Sequence, residues 1–324
     1  MHVHRWDLDR TYLDTDIHSV RGLIRTALET AGEKRNIPGS AALMRGLRAA
    51  DPGARIHVLS GSPTQLRRVL EEKLQLDGVR VDRMVLKDNL GNLRRGRLRA
   101  VRGQVGYKLP ALLGERAELP VGARETLFGD DTETDALIYA AYAEAVAGRL
   151  SAAAVERLLV AADAYPDHVA AALAALARVP TADAVEDIFI HLDQRSPLWR
   201  FEGLPKVIPV FSWFQAAAVL WARGRLRADA VAEVASEAGG SAPRWVNALL
   251  DLVRRGVLSA DRVADLVGEA PLAPLRAGVG RGLGRVVVVA PPVGVPLDLV
   301  AALTRFRSAS SDRGGGNSRD PLGT

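Results

Sequence analysis

The residues best suited to chemistry lie near the start of the chain. The stretch "VHRWDLDRTYLD", residues 3–14, sets Asp7 and Asp9 on either side of one leucine, directly after a short β-like run. Like charges that close repel, so their pairing calls for a reward. Both carboxylates can serve one site if the strand ends and turns there. A carboxylate at the carboxyl end of a parallel strand lies where open α/β sheets bind ligands. Asp7 could then attack phosphorus and become an aspartyl-phosphate. Asp9 could protonate the leaving alkoxide and afterwards deprotonate water, a role worth roughly 10²–10⁴-fold. Two anions facing a phosphate need a hard cation, and Mg²⁺ suits oxygen ligands. Acidic pairs are also common in surface loops, so the pair needs company.

Three further features supply it. "VLSGSP" puts Ser60 at the end of a second strand, with the amides of Gly61 and Ser62 opening a helix as a cradle for phosphate oxygens. Lys108 in "GYKLPALL" could neutralise phosphate and nucleophile; the competing reading is a surface helix lysine. "LFGDDTETD" ends a fourth strand with Asp130 and Asp131, and Asp135 follows one helical turn on. Helix capping by acids explains one or two of these carboxylates and leaves the third to a cation.

These residues need strands that deliver them to one edge. Up to about residue 150, strand candidates alternate with helical patterns, the rhythm of a parallel sheet covered by helices. The strands are "HVHRWDL", "ARIHVLS", "RVDRMVL" and "ETLFGDD". Helices are expected over 19–32, over 40–50, around "YKLPALLG", and over "SPTQLRRVLEEKL" with Ser62 as its cap and Pro63 at its first position. Beyond 150 a repeat emerges: "GRLSAAAVERLL", "RVPTADAVEDIF", "GRLRADAVAEVA" and "GVLSADRVADLV", with second helices between the copies and "QRSPLWRFEGLPKVIP" inserted. Stacked helical hairpins follow from such a pattern. The expected fold is an α/β Rossmann-like domain over 1–148, an all-α helical-hairpin repeat domain over 149–306, and a disordered tail over 307–324.

The order strand–DxDxT, strand–Ser, lysine, strand–GDxxxxD resembles the haloacid dehalogenase superfamily of phosphohydrolases. More narrowly, "DLDRTYLDTD…IPGSAALMRGL…HVLSGSPTQLRRVLEE…LKD…YKLPALL…LFGDDTETDALIY" is similar to the actin-patch-associated phosphatidate phosphatase group, over residues 1–145. The resemblance implies a haloacid dehalogenase-like fold without a large cap insertion. It makes Asp7 the nucleophile and a Mg²⁺ ligand, and Asp9 the acid/base and a ligand through its carbonyl. Thr11 would steady the loop, Ser60 and Lys108 would hold phosphate, Asp130 would bind Mg²⁺, and Asp135 would orient Lys108 or a metal-bound water. Arg10 and Asp131 depart from the group's pattern: Arg10 replaces a small or acidic residue and could contact a leaving group or a second phosphate, and Asp131 stands where the group has serine. Whether Asp130 or Asp131 is the nearer ligand stays open at this point.

Composition bounds the rest. With 324 residues, 48% hydrophobic and 25% charged, the chain can bury a full core. It has no cysteine, which excludes disulfides, thiolate–zinc sites and a cysteine nucleophile. No signal-peptide pattern and no apolar run long enough to span a bilayer is found, so a cytoplasmic location is expected. The net charge of +5 is spread along the chain, which weighs against a nucleic-acid partner. One cluster, Arg94, Arg95, Arg97, Arg99 and Arg102, is either a solvated hairpin or a contact for phosphates or an anionic membrane. The six histidines form no metal-ligand spacing, and His57 reads as a sheet residue. Trp199, Trp213, Trp221 and Trp245 read as packing between helices, with a partner groove or a lipid-facing patch as the alternative. Three readings remain: a phosphatase of phosphatidate-like lipid, a phosphatase of a soluble metabolite, nucleotide or protein phosphoester, and a phosphate-sensing scaffold whose helical repeats bind a protein.

Overall fold

The structure, a computed structural model, describes residues 1–15, 29–88, 103–132, 134–289 and 297–311. The arginine cluster at 94–102, most of the helix expected over 19–32 and the tail from 312 lie outside the described residues. Six strands form one fully parallel sheet: β1 (His2–Trp6), β2 (Arg55–Pro63), β3 (Arg83–Lys87), β4 (Arg124–Asp130), β5 (Val185–His191) and β6 (Val207–Val210). Their spatial order is β3-β2-β1-β4-β5-β6, a Rossmann-like arrangement whose order reverses between β1 and β4.

Alternation along each strand divides the core. His2, His4 and Trp6 of β1 share one face with Thr126 and Phe128 of β4, and Trp6 stacks on Phe128 at 4.0 Å between ring centroids. Over this face lie α1 (Ser40–Ala50) and α7 (Trp213–Ala222), with Leu43, Leu47, Phe214 and Val219 in the same core. Leu59, Leu127, Ile188 and Ile190 meet α3 (Val105–Ala117), α4 (Asp135–Val146) and α5 (Ala152–Ala161) on the other face. The remaining helices are α2 (Arg67–Leu76), α6 (Pro166–Leu176), α8 (Ala228–Ala238), α9 (Ala242–Arg254), α10 (Ala260–Gly268), α11 (Arg276–Leu283) and α12 (Leu299–Ser311).

The expectation of an all-α segment over 149–306 is corrected by β5 and β6, which extend the sheet beside β4. No break in the sheet coincides with residue 148. Three repeat copies are helices, two of them capped by serine: the Ser151 hydroxyl accepts from Ala154 N, and the Ser259 hydroxyl from Arg262 N. The fourth copy, "RVPTADAVEDIF", runs into β5, because Val-Glu-Asp-Ile-Phe-Ile-His is rich in β-branched and aromatic residues and pairs with the free side of β4. The helix expected from Ser62 is also corrected. The extended strand continues to Pro63, a short 3₁₀ turn spans Thr64–Leu66, and α2 begins at Arg67. At the far end, residues 307–311, expected to be disordered, complete α12.

Candidate active site

The carboxyl ends of β1, β2 and β4 bring most of the candidate residues together. Asp7 follows β1 directly, and its amide donates to Phe128 O of β4 at 2.9 Å, which pins the strand tip beside its neighbour. The chain then turns: the amides of Thr11, Tyr12 and Leu13 all reach back to Leu8 O, and Arg10 takes a left-handed conformation at φ 60°. The turn lets both acids of "DLD" face one region.

Asp7, Asp130 and Asp135 form a buried cluster in which one oxygen from each lies within 4.8 Å of the others. Lys108 reaches in from the first turn of α3, with Nζ 2.6 Å from Asp135 Oδ1 and 3.1 Å from Asp7 Oδ1. Thr11 Oγ1 lies 3.4 Å from Asp7 Oδ2 and 3.3 Å from Asp130 Oδ2. Three carboxylates therefore face one ammonium among the contacts that bind the cluster. Burial pushes the Asp7 carboxyl well above the ordinary aspartate value; Lys108 opposes that, and the neighbouring carboxylates of Asp135, Asp130 and Asp9 add to it. Asp135 Oδ2 is buried without a hydrogen-bond partner. An all-oxygen donor set, an excess of negative charge and an orphaned carboxylate oxygen fit a hard divalent cation. Among the described residues this is the one group of three acidic or histidine side chains with such geometry.

The Asp9 carboxylate lies outside that cluster. Its Oδ2 accepts from Ser60 Oγ at 3.1 Å and from Ser62 Oγ at 2.7 Å, and Ser62 N donates to Ser60 Oγ at 2.9 Å. The serines are thus a holder for Asp9, and Ser62 serves through its side chain, a contact that the capping interpretation of Ser62 hid. Gly61 opens no helix; a Cβ there would meet Gln104 Nε2 at 2.7 Å, so the position is one of close approach between β2 and α3.

Asp130 and Asp131 separate cleanly. Asp130 joins the cluster and accepts from Thr132 N at 2.5 Å. The Asp131 carboxylate turns away to accept from Gln194 N and Ser196 N, each at 2.8 Å, and so fastens the loop after β5. Arg10 is engaged by Asp14 at 2.8 Å and by Asp193 of that same loop at 3.3 Å. Gly129 is a site residue that the motif alone left unexplained: a Cβ there would lie 2.7 Å from Asp135 Oδ2 and 2.8 Å from the Tyr139 ring, so only glycine lets Asp135 and Tyr139 close on β4. The later part of the chain also supports the site, since Trp213 Nε1 donates to Thr11 O at 3.1 Å. His57 is a sheet residue, with Nδ1 3.5 Å from Glu115. A groove of about 580 Å³ runs between α2 and the edge strand β3, lined by residues such as Arg67, Val81 and Met84; none of the site aspartates lines it.

Residues 6–157 match the family model described as "Phosphatidate phosphatase APP1, catalytic domain". That span holds Asp7, Asp9, Ser60, Lys108, Asp130 and Asp135, and it ends before β5. The resemblance drawn from the motifs is therefore met by the family comparison. No curated protein and no solved structure matches the chain. No helix among the described residues is long and apolar enough to cross a membrane.

Proposed function

We propose, from the match of residues 6–157 to the phosphatidate phosphatase APP1 catalytic domain model, that the chain is a Mg²⁺-dependent phosphomonoester hydrolase of the haloacid dehalogenase type, acting on phosphatidate-like lipid phosphate. The observation that carries this reading is the buried Asp7–Asp130–Asp135 cluster with Lys108 at its edge. Asp7, Asp130 and Asp135 would hold the cation, which when bound supplies positive charge that keeps the buried carboxylates ionised and draws in the phosphate.

In the proposed cycle an Asp7 oxygen attacks phosphorus while the ester P–O bond breaks. Protonated Asp9 gives its proton to the departing alkoxide, leaving an aspartyl-phosphate on Asp7. Asp9, now a carboxylate, removes a proton from water as that water attacks phosphorus. The bond from phosphorus to Asp7 breaks, orthophosphate leaves, and Asp9 is protonated again. The hydroxyls of Ser60 and Ser62 fix the Asp9 carboxylate for both transfers. Lys108 neutralises charge between Asp7 and the phosphate, and Asp135 orients its ammonium.

The test is phosphate release from p-nitrophenyl phosphate and from short-chain phosphatidate, with Mg²⁺ and with a chelator. Mg²⁺-dependent turnover of both, faster on phosphatidate, is expected. Failure to hydrolyse either substrate in the presence of Mg²⁺ would remove the reading.

A further inference from the structure

The loop joining β5 to β6, residues 192–206, leaves the edge of the sheet that carries the aspartate cluster and ends at the opposite edge, where Lys206 Nζ donates to Val185 O; its first part, through Arg200, stays beside Asp131 at the cluster's edge. Parallel pairing puts Asp130 beside His191 and His191 beside Val210, so the chain beyond β5 and beyond β6 emerges where Asp7 and Asp130 lie. The loop is fastened from several sides. Asp131 accepts from the Gln194 and Ser196 amides, and Arg10 pairs with Asp193. Buried Arg200 donates to Ser196 Oγ at 2.9 Å and to Phe306 O at 2.9 Å, and its guanidinium lies over the Phe306 ring. Phe201 and Leu204 are buried in the core.

Between these anchors the loop holds its apolar residues out in solvent. Pro197 is exposed, Leu198 is 37% exposed and Trp199 55% exposed; Phe211, just past β6, is 49% exposed. The expectation that Trp199 packs between helices is thereby corrected. The other four tryptophans behave differently: Trp6, Trp213 and Trp245 are buried and Trp221 is half-buried. Several buried polar contacts thus serve to present a Leu–Trp pair to solvent, beside a phosphate-directed site. Indole is suited to a boundary between apolar and wet surroundings, and a loop ordered in advance loses little entropy on docking.

We infer that Leu198 and Trp199, with Phe211, form a membrane-contacting tip that inserts into the interface of an anionic bilayer and sets the aspartate cluster against lipid headgroups. This rests on the phosphatase reading for its choice of a lipid surface. Charge favours the same partner. The chain carries a net charge of +5, and exposed Arg195 adjoins the tip.

The experiment uses the full chain with vesicles of phosphatidylcholine alone or with added phosphatidate, and compares it with the double variant Leu198→Ser, Trp199→Ser. Expected are sedimentation of the parent with phosphatidate-containing vesicles, a blue shift of its tryptophan emission, and a loss of vesicle partition of about tenfold or more in the variant. Hydrolysis of vesicle phosphatidate should fall with it, while turnover of p-nitrophenyl phosphate stays at the parent rate. A parent that ignores these vesicles, or a variant that partitions as the parent does, overturns the assignment. Vesicle partition is also measured with Asp7→Asn, which needs no turnover. Inert parent enzyme that still docks through the tip would sink the phosphatase reading and leave the membrane contact standing.

Discussion

Two groups of buried carboxylates sit on one sheet and differ in how they are answered. Beneath the sheet, on the face covered by α3 and α4, Glu125 accepts from Arg5, from Arg116 at 3.1 Å and from the Tyr142 hydroxyl at 2.8 Å. Glu115 meets Arg5 and also Arg83 at 2.8 Å. Burial works against ionisation there, yet the hydrogen bond from His57 and the guanidiniums of Arg5 and Arg83 hold the Glu115 carboxyl below the usual glutamate value. At the strand tips, Asp7, Asp130 and Asp135 share one ammonium, Asp135 Oδ2 has no partner, and Asp7 is pushed upward. Burial is common to both groups. What distinguishes a structural carboxylate from a chemical one in this molecule is whether the fold itself supplies the opposing charge.

Removing a carboxylate should therefore have opposite consequences in the two places. Asp7→Asn is expected to lower p-nitrophenyl phosphate turnover with Mg²⁺ by on the order of 10⁴-fold or more, the scale on which loss of a nucleophile is felt. Without Mg²⁺ its melting temperature should be no lower than that of the parent, since a repelling charge has been removed. Glu125→Gln should do the reverse. Arg116 would lose its charged partner inside the core and Arg5 one of its two, Glu115 remaining, at a cost of about 3–5 kcal/mol, while the molecules that remain folded keep the parent turnover. Urea unfolding followed alongside turnover separates the outcomes. A Glu125→Gln protein as stable as the parent would erase the contrast.

The sequence shows the tip cluster far better than the paired one. Asp7, Lys108, Asp130 and Asp135 lie in local patterns, a strand followed by an acid or the opening of a helix, and α1 falls on the expected 40–50. Arg5, Glu115 and Glu125 look like scattered charges because nothing local says that they meet; Arg5 and Glu125 are 120 positions apart. The same blindness hid the part played by the second half of the chain. Asp131 receives Ser196 N across 65 positions and Trp213 reaches Thr11 O across 202, so a loop and a helix with no motif of their own buttress the site. The repeat misled for a related reason. "ADAV" begins a helix at 228–231, but the copy at 182–185 leads into a β-branched run lying beside an open strand, and sheet pairing overrode the pattern.

Gly129→Ala probes how tightly the tip cluster is set. The added methyl would press on Asp135 Oδ2 and on the Tyr139 ring, both buried. Moving Asp135 also moves the Lys108 ammonium that it holds at 2.6 Å. Turnover should fall by about 10²-fold, the scale on which a displacement near 1 Å is felt. The paired cluster should be untouched, so the urea midpoint should move far less than in Glu125→Gln. A protein with unchanged turnover would mean that Asp135 can shift without consequence, and the cluster would then be looser than its burial implies.

The smallest expected effect concerns pH, and it sharpens the contrast from the opposite face of the sheet. His2 and His4 are buried side by side, 4.5 Å between ring centroids, with His2 Nε2 2.9 Å from Thr126 Oγ1. Burial pushes both downward, His2 to about 4 and His4 well below its ordinary 6.5, and Arg225 adds to the shift. The folded form thus favours neutral imidazoles, and between pH 6.5 and about 4 the unfolded chain binds more protons. Their stabilising contribution is complete above pH 6.5 and fades as pH falls through the folded values, by up to about 1.4 kcal/mol per pH unit per histidine. Glu115, held below 4.5, loses its contribution only in more acid solution. Urea midpoints measured from pH 7 downward should therefore begin to drop near 6.5, before Glu115 can contribute. In His4→Leu that early slope should become shallower. An unchanged slope would assign the early loss to another group, and His191, which burial also pushes downward, would then be the first place to look.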